Sequence, residues 1–253
     1  MLYNKKLSLI IPCRNEEKGI SAMLQRVPSC VDEVLVIDNC STDKTATIAR
    51  KHGAKVFMEK RTVGGIGYGF AHQKGMQEAT GNIIITMDGD GTYPLESIPQ
   101  VIEYFEKNKM DFVSCNRFPL DDKHAISWLR QLGVNILNLE VAMLYRYKIK
   151  DILSGMWVVK KECIKELDVI EGGWELSSEI KLAAITHQDI RFSEYHIHHE
   201  HRLGNSKLAV WRTGFKYLFY IMKRRFGMRY LLKSLKRKLH PVIKLAFSLF
   251  SFF

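Results

Sequence analysis

Apolar and polar positions come in blocks along the first 110 residues, and the blocks predict the fold. Leu7 to Pro12, Glu33 to Asp38, Ala54 to Met58 and Asn82 to Met87 are short runs rich in β-branched and other apolar residues. Each is too short for a buried helix and ends in turn formers or acids, so each predicts a buried strand. Longer stretches with helical spacing lie between and after them, over Lys18 to Arg26, Lys44 to His52, about Tyr68 to Ala79, and Leu95 to Lys107. Asn39-Cys40-Ser41-Thr42-Asp43 offers capping side chains ahead of the second helix. Strands alternating with helices at this spacing predict an α/β chain with a doubly wound, mostly parallel sheet.

Polar groups gather where these strands end. Asn15 and Glu16 follow the first strand, Asp38 closes the second, and Met87-Asp88-Gly89-Asp90-Gly91-Thr92-Tyr93-Pro94 follows the fourth. Open α/β sheets bind ligands at that carboxyl edge. Two carboxylates one residue apart cannot both continue a buried strand uncompensated, because an unpaired buried charge is costly. Oxygen ligands suit Mg²⁺ or Mn²⁺, held between carboxylates and substrate phosphates. The same residues would also serve as a solvated turn with two aspartates capping the next helix. Gly64, Gly65, Gly67 and Gly69 match neither the dinucleotide fingerprint nor the P-loop. They fit a loop beside the ligand or a plain turn.

Charge divides the chain unevenly. The net charge of the 253 residues is +11, yet positions 201 to 253 hold 13 Lys and Arg with no Asp or Glu. The first 200 residues are then near neutral, so the anionic partner is local to the tail and a chain-wide nucleic-acid binder is disfavoured. Trp211, Phe215, Leu218, Phe219 and Met222 form a stripe at helical spacing, which fits either packing on the core or a surface of its own. Basic and apolar residues interleave from Lys223 to Leu239, and Pro241 to Phe253 is an apolar run interrupted by Lys244. That pattern predicts an amphipathic tail over 208–253 lying in a membrane interface rich in anionic lipid, too short at its end to span. A basic RNA-binding module would explain the charge but not the apolar end. Five scattered cysteines suggest free thiols in a reducing cytoplasm, and no signal peptide is visible in the first residues.

Several motifs together carry a resemblance. Ile11-Pro12-x-x-Asn15-Glu16, Val36-Ile37-Asp38-Asn39-x-Ser41-Thr42-Asp43 and Met87-Asp88-Gly89-Asp90 with Pro94 resemble the family 2 glycosyltransferases. Cys115-Asn116-Arg117-Phe118 and Asp151-x-x-Ser154-Gly155 resemble further segments of that family, and Arg202-x-Gly204-x-Ser206-Lys207-Leu208 resembles a segment of its dolichol-phosphate mannosyltransferase branch. The resemblance implies a GT-A (Rossmann-like) catalytic domain over 1–207. It implies that Pro12, Asn15, Glu16 and Asp38 hold the nucleoside of a GDP- or UDP-sugar, and that Asp88 and Asp90 handle ribose-diphosphate and metal. Arg117, Arg130, Arg202 and Lys207, with Ser206 beside it, would bind donor and acceptor phosphates. The implied reaction is inverting transfer of a hexose to a polyprenyl phosphate on the cytoplasmic face of a membrane. A sugar hydroxyl as acceptor, or a non-catalytic binding subunit, are the alternatives.

Some positions depart from that pattern or stand outside it. Thr92 occupies the place of a glutamine metal ligand, which leaves one coordination position to Thr92 or water; Asn39 takes the place of a second acid and Trp157 that of an arginine, two changes expected to retune the donor. Glu179 is the candidate base for a hydroxyl acceptor, or simply an acid at a helix N-terminus. A phosphate acceptor needs no base, since its second pKa is ~6. His196, His198, His199 and His201 lack the partners for a tetrahedral metal site and fit a strand leading into the phosphate-binding loop.

Overall fold

The computed structural model describes residues 5–122, 124–202 and 210–227, with Val210 and Trp211 as backbone only. In chain order, β1 (Leu7–Cys13), α1 (Glu17–Gln25), β2 (Glu33–Asp38), α2 (Thr45–Lys51), β3 (Lys55–Met58), α3 (Tyr68–Glu78) and β4 (Ile83–Thr86) lie within one residue of their expected bounds. A 3-10 turn, Leu95–Ser97, leads into α4 (Ile98–Lys107). The second half adds β5 (Phe112–Asn116), α5 (Trp128–Tyr145), β6 (Trp157–Lys160), α6 (Lys161–Leu167), α7 (Leu176–Thr186), β7 (Phe192–His196) and α8 (Val210–Phe226).

The sheet runs β3-β2-β1-β4-β6-β5-β7. All pairings are parallel except those of β6, which is antiparallel to β4 and to β5. The expected mostly parallel, doubly wound α/β sheet is therefore present. Strand alternation divides the core into two layers. Leu7, Leu9, Ile11 and Ile85 pack with Ile20 and Met23 of α1 and with Val101, Ile102 and Phe105 of α4. Ile10, Leu35, Ile37 and Ile84 pack on the other face, against Ala71 of α3 and Ile180 and Ala184 of α7. Each such side chain contributes about 2 kcal/mol by leaving water.

A third cluster lies at one end. Leu137 and Val141 of α5, Leu182 of α7, and Tyr217, Tyr220 and Ile221 of α8 are buried together. So α8 packs on the body through a face offset from the aromatic stripe. Phe215 and Phe219, which belong to that stripe, are 58% and 65% exposed. Among the described residues no helix is long and apolar enough to cross a membrane. Residues 228–253, with the basic and apolar end of the tail, lie outside the described residues.

Trp157 is a core residue. It is fully buried in β6, stacked against His72 at 5.0 Å and Phe112 at 6.0 Å. It does not reach the strand-end site, so the expectation that it retunes the donor is not met. His72 beside it is fully buried, and neither ring nitrogen has a hydrogen-bond partner among the described residues. Burial pushes its pKa down to about 3, and the ring is neutral in the folded state.

The sign of the consequence follows. Below the usual histidine pKa the unfolded chain takes up a proton that folded His72 refuses, so stability is lost as pH falls from about 6.5 to about 3. The full loss is roughly 5 kcal/mol. We expect His72→Phe to shift the acid-unfolding midpoint, read by circular dichroism, to lower pH; an unchanged midpoint refutes this.

Candidate active site

The strand order places β1 between β2 and β4, so the loops after β1 and β4 part at a topological switch point, where open α/β sheets bind ligands. The all-buried strand Ile83–Thr86 delivers Asp88-Gly89-Asp90 there. A side chain at position 89 would strike Cys13 Sγ and the Pro12 carbonyl. Gly89 thus lets the two loops lie against each other, and Gly91, with φ of 80°, turns the chain away.

Two cavities meet at these aspartates. The first is edged by Pro12, Arg14, Glu16, Asn39 and Ile66, and the second by Tyr93, Arg117, Arg130 and His199. Tyr68, Asp88, Asp90, Trp174 and Arg202 line both. Of the glycine segment, Ile66 and Tyr68 reach the first cavity, so it does lie beside the site.

Asp88 is half-buried, and loss of hydration together with the charge of Asp90 raises its carboxyl well above the ordinary range. Tyr68 Oη donates to it at 3.0 Å. Asp90 accepts from Thr92 Oγ1 at 2.7 Å on Oδ1 and from Arg202 Nη1 at 2.7 Å on Oδ2. Arg202 Nη2 also donates to Glu16 at 3.0 Å. Thr92 therefore buttresses Asp90 with its side chain. Among the described residues no cluster of three His, Cys, Asp or Glu side chains could hold a metal ion. The two hard carboxylates, one of them short of cationic compensation, nonetheless fit a divalent cation that takes its other ligands from a diphosphate and water.

Arginines line the second cavity. Arg117 Nε and Nη2 reach Asp151 at 2.6 and 2.9 Å, a bidentate pair fully out of water at the aspartate. Burial alone would raise the pKa of Asp151, but the guanidinium outweighs it and holds the carboxyl low. Arg130 is pushed in the opposite sense from an ordinary paired arginine, first by burial and then by the charges of Arg202 and Arg117. Three guanidiniums held close enough to oppose one another make a site for a multiply charged anion.

The Asp151–Gly155 loop is fixed from below by Lys181. This lysine of α7 is fully buried and donates to the carbonyls of Ile152 at 2.9 Å, Ser154 at 2.6 Å and Asp151 at 3.3 Å. At the loop's end Gly155 N donates to Tyr93 Oη at 2.6 Å, and a side chain at 155 would strike the Asp88 carboxylate.

Other expected residues sit elsewhere. Asp38 accepts from Ser41 N at 3.1 Å, and Asn15 Oδ1 from Thr42 N at 2.7 Å, so these two tie the loops after β1 and β2 and do not line either cavity. Asn39 does line the first cavity, while its amide donates to the Glu59 carbonyl and accepts from Gly67 N. Glu179 is fully buried away from both cavities. It accepts from the Ile170 and Glu171 amides and pairs with Arg224 of α8 at 3.3 Å. It joins α8 to the loop before α7, and the structure does not bring it to the reacting groups as a base. His198 and His201 bond Asp121 and Asp122 at 2.8 and 2.7 Å. Ser206 and Lys207 lie outside the described residues.

Sequence reasoning missed Tyr68, Tyr93, Trp174, Lys181 and His199. Tyr68 and Tyr93 stand beside recognised motifs, at the glycine segment and after Asp88-Gly89-Asp90, and His199 lies in the histidine run before Arg202, weighed only as a metal ligand.

A parallel sheet with a carboxylate pair at its switch point and an anion-binding cavity beyond it defines a GT-A glycosyltransferase. The family model described as glycosyl transferase family 2 matches residues 8–168, and the chain belongs to that family. An uncharacterized glycosyltransferase of Mycobacterium tuberculosis is 32% identical over 180 residues, 70% of this chain and 79% of that protein. Dodecaprenyl-phosphate galacturonate synthase of Rhizobium johnstonii is 26% identical over 89% of this chain and 68% of its own length. Glucosyl-3-phosphoglycerate synthase of Mycobacterium tuberculosis, solved with Mn²⁺, UDP and phosphoglyceric acid, is similar in fold, with a TM-score of 0.69 at 19% identity over 88% of this chain and 79% of that one.

Asp151→Asn leaves the Arg117 guanidinium without its bidentate carboxylate partner inside the protein. It should cost about 3 kcal/mol in urea unfolding. A loss within the range of an exposed ion pair, about 1 kcal/mol or less, would show that the pair does not organise the loop.

Proposed function

We propose that this glycosyltransferase moves a hexose from a nucleoside diphosphate sugar to a polyprenyl phosphate, with inversion at the anomeric carbon. The observation that carries this reading is the second cavity, whose lining combines Arg117, Arg130 and Arg202 with the apolar Ile126, Val134 and Leu137. A phosphate on an apolar chain matches both kinds of lining. The relative named for dodecaprenyl phosphate supports the same class of acceptor.

The donor's nucleoside would lie in the first cavity between Pro12, Glu16 and Asn39, with its diphosphate toward Asp88 and Asp90. A divalent Mg²⁺ or Mn²⁺ bound by these two aspartates would offset diphosphate charge as the leaving group departs. The chain's own part is to hold and neutralise. Arg202 would exchange Asp90 and Glu16 for phosphate oxygens, and Arg117, kept in place by Asp151, would face the acceptor phosphate. An acceptor oxygen attacks the anomeric carbon, the bond to the diphosphate breaks, and that diphosphate carries away the electron pair. No proton has to be removed from a phosphate already ionised at neutral pH.

A hydroxyl acceptor is the second reading, and His199 favours it. This buried imidazole lines the acceptor cavity, with Nδ1 unbonded among the described residues. Burial and Arg117 hold its pKa to about 4, which makes it a weak base at neutral pH. The phosphate reading therefore stands ahead.

The surface around α8 supports a membrane partner. Its outer face combines exposed Phe215, Phe219 and Phe226 with Arg212, Lys216, Lys223 and Arg225, a mixture suited to an anionic interface on the side where the acceptor lipid resides.

The test is transfer of radiolabel from UDP- and GDP-hexoses to a polyprenyl phosphate with Mg²⁺ or Mn²⁺. Asp90→Ala, Arg202→Gln and Lys207→Ala should each lower kcat/KM by about 10²-fold or more. His199→Gln should leave kcat within about threefold, whereas removal of a working base costs roughly 10²-fold or more. No labelled lipid from any donor, with nucleotide binding intact, would overturn the reading.

A further inference from the structure

The acceptor cavity does not end at its apolar wall. A second depression, lined by apolar side chains and glycine alone, runs between α5 and α8, with Leu132, Ile136 and Phe215 among its walls. Gly133, Leu137 and Gly214 line both this groove and the catalytic cavity, so the two are continuous. Leu132, Ile136 and Phe215 are also solvent-exposed.

Both glycines stand inside helices, where glycine costs stability relative to alanine. Close packing usually accounts for such a choice. Here it does not, because a Cβ at Gly133 or at Gly214 would meet nothing within 4 Å. Open space on both sides of the α5 and α8 contact is thus kept clear at the junction of a charged cavity and an apolar groove. Arg130 sits one helical turn before Gly133, on the same side of α5, and lines the catalytic cavity.

Resting on the polyprenyl phosphate reading above, we propose that Gly133 and Gly214 form the port through which the acceptor's isoprenoid chain leaves the cavity and lies in the α5/α8 groove. The phosphate is held at the arginines, and the first isoprene units pass between the two glycines. The chain then continues along Leu132, Ile136 and Phe215 toward the exposed apolar face. A hydrocarbon chain fits where a sugar or a free phosphometabolite does not, because the groove offers neither a hydrogen-bond donor nor a charge.

The experiment measures acceptor kinetics with farnesyl phosphate in detergent on the full chain. Gly133→Leu and Gly214→Leu, which fill the port, should each raise KM for farnesyl phosphate about tenfold or more with kcat within about threefold, a loss of apolar contact. Asn135→Leu places the same leucine side chain at an exposed position of α5 that does not line the groove and should match wild type. An independent arm avoids misfolding of the leucine variants: maleimide labelling of Ile136→Cys should be slowed by farnesyl phosphate and not by dimethylallyl phosphate. Unchanged KM in both glycine variants, or labelling indifferent to farnesyl phosphate, overturns the port while wild-type transfer to prenyl phosphates still stands. Failure of wild type to use any prenyl phosphate removes the lipid reading and the port with it.

Discussion

The site rests on burying one negative charge that is answered from two directions. Asp151 is out of contact with water, and the bidentate guanidinium of Arg117 compensates it. Lys181 brings a cation beneath the same turn and spends it on backbone carbonyls. Each charge alone would be expensive in this interior, and only the trio makes the arrangement tolerable. Burial leaves the Lys181 ammonium with a pKa near 7, so neighbouring Asp151 and three carbonyls do not fully replace its hydration. Such a network is costly to assemble and, once assembled, stiff. Stiffness matters because Gly155, at the end of this turn, abuts Asp88, and Arg117 looks into the anion cavity from the other side.

The same economy links the site to the last helix. Glu179 anchors the backbone at Ile170 and Glu171, and Arg224 of α8 neutralises it. Just beyond, the Gly172 carbonyl accepts from the Gly69 amide at the start of α3, and the Trp174 carbonyl accepts from Tyr217 of α8 at 2.6 Å. Trp174 in turn stacks on Tyr68 at 4.8 Å, and Tyr68 bonds Asp88. A helix that looks like an appendage in the sequence therefore supports the wall shared by both cavities.

What could be read from the sequence was local. β1, β2 and β4 announce themselves because their runs are mostly apolar and each ends in turn chemistry, and the carboxylates at their tips follow from topology alone. The reversal of direction at β6 leaves no local trace in the sequence. Lys181 could not be assigned, since its partners are carbonyls about thirty residues away. Glu179 looked like a base because of its neighbours in sequence; its neighbour in space, Arg224, lies 45 positions on. The aromatic stripe of α8 was visible, but which side of the helix packs inward was decided by Tyr217, Tyr220 and Ile221, whose spacing is just as helical. The apolar stripe of α5 completes that surface only in three dimensions.

Arg202 joins residues 112 and 186 positions earlier in the chain, Asp90 and Glu16. During synthesis, Glu16 leaves the ribosome long before its guanidinium partner is made. At about 5–20 residues per second the interval is on the order of ten seconds or more. Throughout it the sheet core of β1, β2 and β4 can already close while the acidic strand tips remain water-facing. The nascent protein thus passes through a stage with a finished scaffold and an unneutralised mouth, and the final ion pairs arrive only with the closing segment of the domain.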